Sequence, residues 1–130
     1  MKLQPDKSDT QIITGYGPGW VSIGFFENGQ PKQEKLIHSF LIGSHGERAD
    51  WPGISFDQLT AEHFEQVAAF APELVIFGSG SKLRFPSPAY QRALMQARIG
   101  LETMDTLAAC RTYNILAGEG RHVLAVLLAD

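Results

Sequence analysis

Two apolar runs, Glu73-Leu-Val-Ile-Phe77 and Leu101-Glu-Thr-Met104, flank a segment that opens with Ser87-Pro88 and closes at Gly100. The first run is short and nearly all apolar, the mark of a strand covered on both faces. Ser87 suits an N-cap and Pro88 the first helical position, so the spacing predicts a helix to about Ile99 with Gly100 as its left-handed cap. A strand–helix–strand unit pairs its strands in parallel through a right-handed crossover. That unit makes the chain α/β.

Working outward, Thr106–Ala117 reads as a second helix capped by Asp105, and His122–Leu128 as another buried strand. Upstream, Thr60 caps a predicted helix to about Ala71, stopped by Pro72. Residues 43–56, rich in Gly, Ser and Pro, read as a loop. Lys35–Ile42 and Trp20–Phe26 read as strands, the latter followed by the turn signal Asn28-Gly29. Gly15-Tyr-Gly-Pro-Gly19 reads as a break after a short strand, Gln11–Thr14. The expectation is a mixed β-sheet with helices packed on it, preceded by an antiparallel N-terminal β meander. Residues 11–130 form a single α/β domain in this reading, and residues 1–10 a disordered tail.

The 130 residues are 44% hydrophobic and 19% charged, the balance of an ordinary globular protein. The net charge is −3 and the pI about 5.8, with no basic run, which argues against a nucleic-acid partner. A lone cysteine, Cys110, rules out an intrachain disulfide and favours a reducing compartment. The first residues lack a signal-peptide pattern and no apolar run is long enough to span a bilayer, so the expected setting is cytoplasmic, without membrane insertion.

Parallel strands place their C-terminal ends on one sheet edge, where ligands usually sit. Here that edge carries Gly78-Ser-Gly-Ser-Lys82 and Met104-Asp-Thr106, with Arg111 and Asn114 about two turns into the following helix. Gly78, Ser79, Gly80, Ser81, Asp105, Arg111 and Asn114 are therefore the candidate ligand-binding residues. Each has a second reading. The glycines serve a tight turn or expose N–H groups to an anion; Leu83 replaces the third glycine of a dinucleotide fingerprint. Asp105 is a helix cap or an acid. Arg111, if buried, needs a carboxylate such as Asp105 or Glu119, or else a ligand. Cys110 reads as a small core residue. The four histidines show no metal-binding spacing and no nucleophile elbow occurs, so no catalytic residue, metal site or cofactor is expected.

Over Met104-Asp-Thr-Leu-Ala-Ala-Cys-Arg-Thr-Tyr-Asn-Ile-Leu-Ala-Gly-Glu-Gly-Arg121 the chain resembles the widespread family that includes the mitochondrial complex I assembly factor 3. The positions that carry the resemblance are Gly78, Gly80, Pro88, Asp105, Thr106, Thr112, Tyr113, Asn114, Glu119, Gly120 and Arg121, with Gly15-Tyr-Gly and Trp51-Pro52 also similar. The resemblance implies a three-layer α/β arrangement around a central mixed sheet. It also implies a non-enzymatic interaction or assembly role, because the mitochondrial relative acts in assembly of the respiratory NADH–ubiquinone oxidoreductase without known catalysis. It supplies no catalytic residues to map. A protein partner is then expected, in a bacterial cytoplasm, with a symmetric homodimer as an open alternative. The competing reading is a small-molecule or anion-binding protein with its pocket at the Gly78–Lys82 loop and the Arg111 helix. A third is that both segments serve only the fold.

Overall fold

A computed structural model describes residues 10–130, so all of the expected tail except Thr10 lies outside the described residues. Among the described residues eight strands form two sheets. The first is an antiparallel meander of β1 (Ile12–Gly17), β2 (Trp20–Glu27) and β3 (Gln30–Leu36). The second has the order β5-β4-β8-β6-β7, built from β4 (Ser39–Gly43), β5 (Arg48–Trp51), β6 (Leu74–Gly78), β7 (Gly100–Met104) and β8 (Val123–Leu127). β7, β6 and β8 are parallel, as the strand–helix–strand reading requires. β4 runs antiparallel to β8 and β5. Three helices pack on this mixed sheet: α1 (Ala61–Ala69), α2 (Arg92–Gln96) and α3 (Thr106–Gly118).

The pleat explains the layers. Along β8, Val123, Ala125 and Leu127 face α3 and the meander, while Leu124, Val126 and Leu128 face the α1/α2 side. β6 divides likewise, Ile76 to one side and Val75 and Phe77 to the other. Strands with two covered faces must be apolar throughout, and both read that way in the sequence.

Four local expectations are corrected. Lys35–Ile42 is not one strand: Lys35–Leu36 end β3, and Ser39 starts β4 in the other sheet. The chain crosses between sheets without a glycine or proline, so the apolar run hides the break. Residues 43–56 contain β5, a mostly polar edge strand in which only Trp51 is buried. The segment from Ser87 forms a 3-10 turn (Pro88–Gln91) and then the short α2; Arg98, at φ 59°, takes the left-handed conformation, and Gly100 opens β7. Gly15 and Gly17 do not break β1. The Trp20 ring lies across them, and a Cβ on Gly17 would come within 2.5 Å of Trp20 Nε1. Only Pro18-Gly19 turns the chain, with Gly19 at φ 80°. Asn28 and Gly29, both at positive φ, make the primed hairpin turn that their sequence signals.

Candidate functional site

The C-terminal ends of β6, β7 and β8 meet the start of α3. Asp105 caps that helix, its Oδ1 accepting the Ala108 N–H at 2.9 Å. Thr106 ties the edge together: its hydroxyl accepts the Gly80 N–H at 2.8 Å and donates to the Leu128 carbonyl at 2.8 Å. Gly78 has no room for a Cβ, which would sit 3.0 Å from both the Thr106 Cα and the Ala109 Cβ, so α3 rests directly on β6. Gly80 adopts φ 100° and is pressed against Arg84 and Asp130.

The N–H groups of Ser79, Gly80 and Ser81 are already used. Ser79 donates to the Met104 carbonyl, Gly80 to Thr106 and Ser81 to the Asp130 carbonyl. The Ser79 hydroxyl donates to the Lys82 carbonyl and accepts the Arg84 N–H. An anion cradle needs such donors free. Beside the loop lies a cavity of about 350 Å³, walled by Gly80, Ser81, Asp105, Trp20, His38 and Asp130 among others. His38 Nε2 stands 3.3 Å from Asp50 Oδ2.

The other candidates lie elsewhere. Arg111 is exposed, and among the described residues no ion pair reaches it, so the expectation conditional on its burial does not arise. Asn114 acts as a surrogate strand for the free edge of β1. Its Nδ2 donates to the Ile13 carbonyl at 2.7 Å and its Oδ1 accepts the Ile13 N–H at 2.8 Å. Next to it, the buried Tyr113 hydroxyl donates to the Gln11 carbonyl at 2.7 Å. Burial, with the Glu47 charge nearby, raises the Tyr113 phenol well above its usual range. Cys110 is buried and its thiol is pushed up to about 12, chiefly by desolvation.

Two features had no sequence signal strong enough to find them. A cleft of about 700 Å³ opens where the meander meets the C-terminal end of α3, walled by Ile12, Phe25, Phe26 and Pro31, with Lys32 and Arg121 also on it. At its border, His45, Glu47 and His122 bring one potential ligand atom each within 4.8 Å of one another, the one such trio among the described residues. His45 and Glu47 are two residues apart, but His122 lies 75 residues beyond Glu47, so no local spacing marks the trio.

The family model described as "Protein of unknown function (DUF498/DUF598)" matches residues 13–128, and the chain belongs to that family. It is 35% identical over 80 residues to the bovine (Bos taurus) NADH dehydrogenase [ubiquinone] 1 alpha subcomplex assembly factor 3. That match covers 60% of this chain and 44% of the bovine protein, so less than half of the relative's length is represented. An uncharacterised protein of Rhodobacter capsulatus is 32% identical over 125 residues, covering 96% of this chain and 90% of the relative. The crystal structure of a Bordetella parapertussis protein superposes with a TM-score of 0.80 at 33% identity, over 96% of this chain and 100% of the other.

Proposed function

We propose that this protein is a non-enzymatic interaction module that works on a protein partner in the manner of an assembly factor. The observation that carries this reading is the apolar wall of the cleft, where Ile12 stays 47% and Phe26 45% exposed. Exposed apolar side chains gathered on one concave surface are costly in water and are characteristic of contact sites. The assembly-factor names of the mitochondrial relatives support the same reading. Lys32 beside the wall favours a partner with an acidic group next to an apolar anchor. The reading includes a bacterial cytoplasmic setting, residues 11–130 acting as one unit, and no nucleic-acid partner, in line with the net charge of −3. No described helix is long and apolar enough to cross a membrane.

The test is affinity capture from native host lysate, membranes included, with mass spectrometry of the retained proteins. A near-stoichiometric partner that Phe26→Asp releases is the expected result. A bait that retains nothing, or a partner held equally by the variant, refutes the reading.

A second reading is a small-molecule site at the sheet edge, favoured by the 350 Å³ cavity beside Gly80, Ser81 and Asp105. Of the proposed set, Gly78 and Ser79 would shape the loop, while Arg111 and Asn114 would act outside the cavity. A thermal-shift screen of small metabolites separates the readings: a stabilising ligand whose effect Trp20→Ala abolishes favours the cavity.

A further inference from the structure

We propose that His45, Glu47 and His122 form a binding site for a divalent first-row transition metal, zinc being the closest match. His122 Nε2 lies 2.5 Å from Glu47 Oε2. The His45 ring stacks on that of His122, with 3.9 Å between centroids and 3° between planes. Two imidazoles and one carboxylate are a ligand set for zinc and its neighbours, which leaves coordination positions open to water. Magnesium and calcium prefer oxygen donors and fit it poorly.

The donors are held by backbone that the fold fixes in any case. His45 and Glu47 sit in the β4–β5 turn and His122 just before β8. Ser44 joins the two, its hydroxyl donating to the Arg121 carbonyl at 2.7 Å and accepting the Val123 N–H at 3.0 Å. The Gln11 side-chain amide donates to the Gly43 and Glu47 carbonyls at 3.0 and 2.7 Å. Gly43 leaves the space that Glu47 occupies; a Cβ there would overlap the carboxylate. Glu47 Oε1 accepts the His45 N–H at 3.0 Å, which turns Oε2 toward His122. The Glu47 and His122 side chains are 11% and 20% exposed, whereas His45 is exposed. Arg121, the nearest cation in sequence, is paired with Glu73 at 3.1 Å.

Little movement is needed. With zinc–nitrogen and zinc–oxygen bonds of about 2.0–2.2 Å in tetrahedral geometry, two ligand atoms stand about 3.3 Å apart. The His122–Glu47 pair must therefore open by somewhat under ~1 Å, and His45 must turn out of the stack. The ion takes the place of the hydrogen bond between His122 Nε2 and Glu47 Oε2.

The experiment titrates metal-free protein with Zn²⁺ by calorimetry and with Co²⁺ by visible absorption. The expected result is one saturable site, and a zinc affinity about tenfold or more lower in both His45→Asn and His122→Asn. His63→Asn is the control and leaves it unchanged. His45 is exposed, so its variant keeps the fold, which circular dichroism checks. No saturable binding, or an affinity that either His45→Asn or His122→Asn leaves unchanged, overturns the proposal.

Discussion

Asn114→Ala should destabilise the protein far more than Arg111→Ala, one turn away on the same helix. Asn114 closes two hydrogen bonds on the Ile13 backbone, at 2.7 and 2.8 Å, half-buried between α3 and β1. Each such bond contributes about 1 kcal/mol net, and leaving backbone groups partly orphaned adds to the loss. The expected cost is about 2–3 kcal/mol. For a domain of this size that lowers Tm by roughly 6–15 °C. With a urea m-value of about 2 kcal/mol/M, the midpoint falls by about 1–1.5 M. Arg111 is exposed and no ion pair among the described residues includes it, so its truncation should stay within about 0.5 kcal/mol. Asn114→Asp is a sharper probe: it keeps an acceptor for the Ile13 N–H but sets a carboxylate oxygen against the Ile13 carbonyl. It should be no more stable than Asn114→Ala. Urea unfolding followed by tryptophan fluorescence and circular dichroism measures all three. Equal midpoints for Asn114→Ala and Arg111→Ala would refute the assignment of Asn114 as the clamp on β1.

Gly80→Ala combines positive φ with a Cβ that would stand 2.6–2.8 Å from Arg84 and Asp130, so it should cost about 2–3 kcal/mol in denaturant unfolding. Gly53→Ala, at positive φ but in open space, should cost about 1 kcal/mol. Cys110 should resist a thiol reagent at pH 8 in the native state and react at once in urea, because its thiol is buried and pushed up to about 12. Arg48 bridges Asp50 and Glu34, and its hydrogen bond lowers the Asp50 carboxyl below the ordinary value of 3.8. A lowered folded-state value means the added stability is present above pH 3.8 and disappears as the pH falls through the lower folded value. Asp50 is largely exposed, so solvent screening limits the effect to about 0.5 kcal/mol. Asp50→Asn should therefore be slightly less stable than the parent at neutral pH, and the difference should vanish once the pH has fallen through the lowered Asp50 value, as measured by urea midpoints.

What was legible in the sequence follows the burial of the strands. β6 and β8 are covered on both faces, so their composition alone marks them. The caps Thr60, Ser87 and Asp105, and the Asn28-Gly29 turn, are local chemistry and read locally. β5 escaped notice because an edge strand is free to be polar. The β3–β4 break was missed because the chain changes sheets inside one continuous run. Among the polar residues at the start of and along α3, Asp105, Arg111, Thr112 and Asn114 each need a partner or solvent. Which got which depends on how the helix is turned about its axis. Asp105 caps, Thr112 donates to the Met104 sulfur at 3.3 Å, Asn114 holds β1, and Arg111 meets water.

Local propensity and the apolar pattern by themselves determined an α/β protein with parallel strands around a strand–helix–strand unit and an antiparallel meander before it, because those signals span only a few residues each. The family resemblance added the three layers. Only the tertiary structure decided the sites. The Gly78–Ser81 loop lost its free N–H groups to Thr106, Met104 and Asp130, partners that strand pairing brings from far along the chain. His122 joined His45 and Glu47 because β4 lies beside β8. Contacts between residues separated by much of the chain are set by sheet order, and sheet order is the outcome of packing all the faces at once.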